Sequence, residues 1–441
     1  MNGLAALLLP LCIAQTPFPD EKYLKNIRQL TFDGVNSKAY FSSDDRYLVL
    51  QTTGHGVECD QIYRMDLNQP PNQTLHRLST GVGSCTCSFF LPNSYDVLYS
   101  GNFHRLTPDA FEGNVSDTCP MRKCDSIEAS MDPALQELCS SSYFLDISPE
   151  LDIFRVNQYG NIIAQLTDNN YYDAEAVVSP DGKKILHTSM ESGDLDIYIM
   201  DVDGSNKKRL GYDGGGFFSP DGKKVVFRAS RPKTEREQEL YRDLLRHHLV
   251  APTNMELYVM SADGSEQRPV FSPPLGRGSW APYYHPDGKR IIFSSNFNST
   301  DEAFTLYIVN EDGSGLDQVT SGGHFNSYPM FSHNGQKLVW ASSRGASNPR
   351  GLNIFIADWV SLMQLDVHTI SGVEPGAGDS AIKEELLTNR IPRTSAHEIR
   401  SEPWQDKSTE PYDNVVHFEG ERHFRNVKQL TFGGQNAEGY F

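Results

Sequence analysis

Apolar and polar positions alternate along this chain in short runs, and the runs return in a fixed order. An apolar stretch leads into Ser-Pro-Asp-Gly-Lys-Lys, then a second apolar stretch, then Leu/Ile-Tyr-(Ile/Val)-Met, then Asp-Gly-Ser. The order is clearest at Ala176–Ser189 (AVVSPDGKKILHTS) and Gly216–Ser230 (GFFSPDGKKVVFRAS), with weaker copies at Tyr283–Ser295 and Met330–Ser342. Pro-Asp-Gly between apolar runs is a turn: Pro presets its own backbone angle, Asp bonds its own backbone, and Gly accepts a positive φ. The flanking Val, Ile, Phe and Tyr suit a pleated surface, so each copy opens with a hairpin. Leu195–Met200, Glu256–Met260, Thr305–Val309 and Asn353–Ala357 supply a third strand. After the Asp-Gly-Ser turns at Asp203–Ser205, Asp263–Ser265 and Asp312–Ser314, Lys208–Leu210 and Asp317–Thr320 read as short fourth strands.

Four antiparallel strands in about 40 residues make one propeller blade. The pattern predicts six: Tyr40–Asp66, Ser84–Val156, Glu175–Leu210, Gly216–Val270, Ala281–Thr320, and a sixth from Ser327 to Trp359. The expected fold is all-β, a six-bladed propeller of four-stranded blades over residues 27–359. No outer strand follows in the sixth blade, whereas Ile27–Phe32 (IRQLTF) resembles the fourth strands elsewhere. The N-terminal strand is therefore predicted to complete the last blade and remove an exposed sheet edge. Two blades carry insertions. Phe103–Ser142 is long and Cys-rich; Arg231–Asn254 is helical, with Thr234 and Glu237 as a capping box and Leu240, Leu244 and Leu245 on one face. That helix reads as a solvated bracket on the propeller edge.

Composition narrows the setting. A formal net charge of −18 argues against nucleic acid or an anionic membrane as partner. No apolar span beyond the N-terminus is long enough for a transmembrane helix. Residues 1–14 read as a short signal peptide cut before Gln15, with a buried N-terminal strand as the other reading. Cys59, Cys85, Cys87, Cys119, Cys124 and Cys139 form an even set in the first two blades, which fits disulfides in an oxidising compartment; their connectivity is open. Cys119-x4-Cys124 with Cys139 also has metal-like spacing, but His104 is the one histidine of that insertion, and no metal is expected. Sequons at Asn72, Asn114 and Asn298 fall in predicted loops. The expectation is a secreted, glycosylated monomer, periplasmic if bacterial.

No catalytic motif emerges. The chain has no Gly-x-Ser-x-Gly elbow, no His-Glu-x-x-His helix, no phosphate loop and no dinucleotide fingerprint, so no cofactor is expected. Asp201-x-Asp203-Gly204 looks like a piece of a calcium loop but sits where a blade needs its hairpin. Propellers bind at the channel mouth, where innermost strands begin. Aligning those entries puts Lys38, Asp173, Glu175, Asp213, Trp280, His324 and Asn326 near one rim. Carboxylates, a lysine and a tryptophan there suit a protein, peptide or glycan ligand; the competing reading is that they solvate the channel and cap strand ends.

The Ser-Pro-Asp-Gly-Lys hairpins, the Ile-Tyr-(Ile/Val)-Met strand and the Asp-Gly-Ser turn, repeated over Ile27–Trp359, resemble the TolB-like six-bladed propellers. The resemblance implies the fold and a binding role, since that family includes the periplasmic partner-binding protein of the Tol–Pal envelope system. The Cys-rich insertion and the sequons depart from it. Similar repeats form the lid propeller of prolyl-oligopeptidase-like enzymes. The alternative function is therefore a lid or targeting propeller for a hydrolase whose catalytic domain this chain lacks, the stretch after Trp359 being too short to hold one.

Residues 360–420 read as a largely flexible linker. Glu421–Phe441 (ERHFRNVKQLTFGGQNAEGYF) then restates Glu21–Phe41 (EKYLKNIRQLTFDGVNSKAYF). It reads as the start of a second propeller, or as a closing strand that competes with Ile27–Phe32. A truncated, non-functional duplicate is a third reading.

Overall fold

The computed structural model describes residues 23–360 apart from 33, 55, 71–73, 107–117, 127–128, 130, 134, 137–138, 140–143, 213, 252–253, 301, 322–323, 345 and 347–350. The leader, Asn72, Asn114, Asp213, the linker beyond Val360 and the 421–441 repeat lie outside the described residues. Asn298 lies in an exposed turn.

The repeat folds as predicted, into six four-stranded antiparallel sheets. Strand β1 (Leu24–Gln29) precedes blade one, which is β2 (Asn36–Phe41), β3 (Tyr47–Gly54), β4 (Val57–Asp66) and β5 (His76–Arg77). Blade two is β6 (Cys85–Phe90), β7 (Val97–Gly101) and, after an insertion carrying β8 (Leu145–Asp146), β9 (Asp152–Val156) and β10 (Ile162–Gln165). Blade three runs β11 (Asp173–Val178), β12 (Lys184–Ser189), β13 (Asp196–Asp201) and β14 (Lys208–Tyr212). Blade four is β15 (Gly214–Phe218) and β16 (Lys224–Ser230), an insertion with helix α1 (Glu235–Arg246) and β17 (Leu249–Val250), then β18 (Met255–Ser261) and β19 (Arg268–Phe271). Blade five is β20 (Ser279–Tyr284), β21 (Arg290–Ser295), β22 (Thr305–Asn310) and β23 (Asp317–Gln318); blade six has β24 (Asn326–Phe331), β25 (Lys337–Ser342) and β26 (Asn353–Trp359).

The repeated phrase turns the chain by side-chain hydrogen bonds. Ser179 Oγ donates to Asp181 Oδ1 at 2.6 Å, the same oxygen accepts the Lys183 N–H at 3.1 Å, and Gly182 takes φ 74°. Ser219, Asp221 and Lys223 repeat the pattern, and Ser332, Asn334 and Gln336 repeat it with an amide in place of the carboxylate. The Asp-Gly-Ser turns close alike: Asp203, Asp263 and Asp312 each accept the hydroxyl of the serine two residues on at 2.6 Å. Apolar faces meet between blades, as where Val177, Leu186 and Ile197 pack with Val225, Phe227 and Met260.

The ring closes through the N-terminal strand. β1 pairs antiparallel with β26, Leu24 opposite Trp359 and Gln29 opposite Phe355. Leu24, Ile27 and Leu30 are buried. Tyr23 stacks on Trp359 at 5.3 Å and donates to Asp317 Oδ2 of blade five at 2.9 Å, tying the clasp to two blades. Among the described residues no helix is long and apolar enough to cross a membrane.

Two disulfides form, Cys59–Cys119 and Cys124–Cys139, and they point to an oxidising compartment. Cys119, Cys124 and Cys139 are thereby disulfide partners rather than metal ligands. Of the six disulfide candidates four pair, and the candidacy of the other two is corrected: Cys85 and Cys87 are buried thiols outside any disulfide. The backbone separates them. Cys87 takes φ 55° inside β6, which breaks strand alternation. Its sulfur lies 3.1 Å from Lys38 Nζ, while the Cys85 sulfur lies against Gly101, 3.1 Å from where a Cβ on that glycine would stand.

Candidate functional site

Every innermost strand carries the same irregularity. Lys38, Cys87, Glu175, Gly215, Ala281 and Tyr328 have φ between 48° and 64°. In each hairpin the register slips across that position, between Ser37 and Tyr40, Thr86 and Phe89, Ala174 and Val177, Gly214 and Phe217, Trp280 and Tyr283, and Ser327 and Met330. These are β-bulges, which re-aim a side chain out of the regular alternation. A left-handed non-glycine residue costs on the order of 1 kcal/mol or more. Five of the six positions bear that strain, and all six line one central cavity of about 80 Å³.

The ring is chemically uneven. Lys38 Nζ donates to Thr86 Oγ1 at 3.2 Å, lies 3.1 Å from Cys87 Sγ, and sits 5.7 Å from the Tyr328 ring centre. Gln51 Oε1 accepts the Thr86 hydroxyl at 2.7 Å and the Cys87 N–H at 3.2 Å, which fixes the bulge. Glu175 accepts from Arg228 at 2.9 and 3.1 Å and from the Thr188 hydroxyl at 2.7 Å. Burial pushes the Glu175 carboxyl up, but Arg228 and then Lys38 outweigh it and hold it below the usual carboxylate range. Blade four contributes a glycine for a steric reason: a Cβ on Gly215 would stand 1.8 Å from Arg228 Nη1. The guanidinium thus occupies the space a fourth ring side chain would need. Tyr40, beside the ring, has its hydroxyl held far above the ordinary range by burial, then by its acidic neighbours Cys87 and Glu175.

The two insertions meet over this ring. β8 pairs with β17, Leu145 opposite Val250 and Asp146 opposite Leu249, and Ile147 N–H donates to the His248 carbonyl at 2.8 Å. Leu145, Asp146, Ile147 and Val250 line the same cavity as the ring. Helix α1 has the predicted capping box, Glu237 N–H donating to Thr234 Oγ1. It is more than an edge bracket. Leu244 packs with Ala129 and Leu135 of the blade-two insertion, against the partly buried Cys124–Cys139 disulfide, and Tyr241 donates to Asp194 of blade three at 2.6 Å. Leu245 packs against the main core, and of the predicted apolar face Leu240 is the exposed member. The insertions together form a cap.

Of the predicted rim residues, Lys38, Glu175 and Trp280 line the cavity. Trp280 is 3% exposed and stands in an aromatic group with Phe304, Phe325 and Tyr328. Asp173 and Asn326 do not reach the cavity; they brace the starts of inner strands. Asn326 Oδ1 accepts the Ser342 hydroxyl at 2.8 Å, as Asn36 Oδ1 accepts that of Thr52 at the same distance. Asp173 is fully buried, with Oδ2 accepting from Asn169 at 2.5 Å and Oδ1 lying 3.4 Å from His187 Nδ1. His324 is exposed and outside the cavity lining. Cys87, Arg228, Ala281 and Tyr328 were missed. The signal was present: Asn-Ser-Lys, Cys-Thr-Cys, Asp-Ala-Glu, Ser-Trp-Ala and Asn-Ser-Tyr align once each strand is read from its first residue.

The chain is similar in sequence to the Tol-Pal system protein TolB of Wolinella succinogenes, 25% identical over 219 residues, covering 48% of this chain and 46% of that protein. It is similar also to dipeptidyl-peptidase 5 of Porphyromonas gingivalis, 25% identical over 246 residues, covering 47% of this chain and 35% of that one. The chain thus spans less than half the length of these curated relatives. Among solved structures, TolB from Acinetobacter baumannii matches with a TM-score of 0.38 and 16% identity over 73% of this chain and 72% of that one. No family model matches the chain.

Proposed function

We propose that this chain is a non-catalytic binding propeller, a secreted glycoprotein, whose capped channel mouth receives a chain end or single side chain from a peptide or protein partner. The observation that carries the reading is the ring of six bulges turned into one covered cavity. Bulge strain repeated at equivalent places is a cost that packing alone does not explain, and such strain clusters at ligand sites. Size narrows the ligand. A cavity of about 150 Å³ admits benzene and one water needs about 10–15 Å³, so about 80 Å³ suits a few atoms of a chain end, the rest of the ligand lying at the mouth. Aromatic and aliphatic walls with a lysine, an arginine and a glutamate suit an amphipathic peptide group. Similarity to TolB supports a binding role.

The test is selection from a library of short peptides with free termini, using the wild-type chain and Ala281→Phe, which fills the cavity from a ring position. The wild type should enrich a consensus that Ala281→Phe loses, with melting unchanged. The same consensus on both proteins would place binding elsewhere. Enrichment on a glycan array alone would overturn the peptide reading. The peptidase relative motivates a lid role for an absent hydrolase; a hydrolase sequence in the same gene would favour it.

A further inference from the structure

Cys87 is placed for chemistry that peptide capture does not require. It stands at a ring position, is 6% exposed, and lines the cavity. Lys38 Nζ is 3.1 Å from its sulfur and the Thr86 hydroxyl oxygen 3.2 Å away. An ammonium at that distance favours the thiolate, the nucleophilic form. Cys85 supplies the internal contrast: it is wholly buried, and burial drives its thiol far above the ordinary range.

Two further groups in the cavity lack partners. Ser88 is 1% exposed and Trp280 3%, both line the cavity, and neither the Ser88 hydroxyl nor the Trp280 indole N–H has a hydrogen-bond partner. Buried polar groups are ordinarily satisfied, so these two unpaired groups on residues of the cavity wall are polar groups that a ligand could satisfy. The Glu175–Arg228 pair offers both signs of charge on the same wall. A small zwitterion presents both signs in return. The two disulfides, one tying blade one to the blade-two insertion and one within that insertion, place the chain where low-molecular-weight disulfides persist.

We propose that Cys87 is a covalent acceptor for a small zwitterionic disulfide of the cystine class, which it captures as a mixed disulfide, the sulfur reaching Cys87 and the rest of the molecule lying at the open mouth of the cavity. The Cys87 thiolate attacks one sulfur of the incoming disulfide. The S–S bond of that molecule breaks as the Cys87–S–S bond forms, and the departing half leaves as a thiolate. The proton lost by Cys87 ends on that leaving group. One disulfide is exchanged for another, so no further oxidant is consumed. Lys38 is a positioning residue here: it holds the attacking sulfur charged. The proposal does not depend on the peptide reading.

The experiment incubates the oxidised full chain with cystine and reads intact mass, then peptide maps. One cysteinyl adduct is expected, on the Cys87 peptide, removed by a reductant, retained in Cys85→Ala and absent in Cys87→Ser. Lys38→Met should slow the adduct at least tenfold and move its rate profile to higher pH, while Lys38→Arg restores it. Cystine should react faster than the uncharged disulfide of 2-mercaptoethanol. Modification of Cys87 only after denaturation would overturn the proposal, as would equal labelling of Cys85. An unchanged rate and pH profile in a folded Lys38→Met would remove the lysine's role, and equal rates for the two disulfides would remove the zwitterion.

Discussion

At the scale of single residues, the Glu175–Arg228 pair sets the character of the channel mouth. Their side chains are 17% and 14% exposed, and the glutamate is triply hydrogen-bonded by Arg228 and Thr188. Removing one partner leaves a charge with little water to solvate it. Glu175→Gln should therefore cost about 3 kcal/mol, the low end for breaking a buried pair. Glu175→Gln with Arg228→Met should cost less than the sum of the two single changes. Folding lowers the Glu175 pKa, so its contribution is present above the unfolded carboxylate range and is lost as pH falls through the lowered value. Denaturant melts of the four proteins at neutral and acid pH check both points; equal stability of wild type and Glu175→Gln at neutral pH would contradict them. Lys38 and Glu175 could be found from sequence because their blades begin in register with the predicted strand starts. In blade two the aligned entry is Gly83-Ser84-Cys85, which ends two residues before Cys87. In blades five and six it ended at Trp280 and Ser327, one residue before Ala281 and Tyr328. A bulge adds a residue without changing the apolar pattern much, so the pattern alone leaves the ring residue ambiguous. Arg228 escaped for another reason: it comes from the second strand and reaches the ring only because blade four has glycine there.

At the scale of elements, the hairpin turn is both the most legible feature and the most testable. Ser-Pro-Asp-Gly states its own hydrogen bonds, and the observed turns obey them. The hydroxyls of Ser179 and Ser219 hold Asp181 and Asp221 below the ordinary carboxylate range. Each turn thus favours the folded chain above that range and loses the preference as pH falls through the lowered values. Blade six supplies a natural control, because Asn334 makes the same two bonds from Ser332 and Gln336 with no charge to titrate. Asp181→Asn with Asp221→Asn should preserve the fold, lower stability at neutral pH slightly, and flatten the decline between about pH 5 and 2. An unchanged pH slope in thermal melts would show that these carboxylates do not drive acid unfolding. The cap was not legible to the same degree. Sequence marks each insertion, through cysteines in one and a capping box in the other, but neither encodes that β8 and β17 will pair across more than a hundred residues. Strands of two residues carry too little pattern to announce a partner.

At the scale of the molecule, closure decides whether the ring survives as a unit. The clasp buries Tyr23, Leu24, Ile27 and Leu30. At about 2 kcal/mol for each buried side chain, that strand accounts for much of the 5–15 kcal/mol by which a typical domain is stable. The 421–441 segment repeats its buried positions with Phe424, Val427 and Leu430 in the places of Leu24, Ile27 and Leu30, but puts Glu438 where the ring has Lys38. A copy that keeps the strand and reverses the ring charge fits the opening of a second propeller with its own channel chemistry better than it fits a spare clasp. Deleting residues 361–441 should then leave the melting temperature of the first propeller within about 2 °C, a shift equivalent to less than 1 kcal/mol at this size. Deleting residues 1–32 should abolish cooperative melting whether or not the tail is present. If the tail instead rescues the clasp-less chain, Val427–Phe432 takes the vacated edge of β26, and the repeat is a competing closing strand rather than a second beginning.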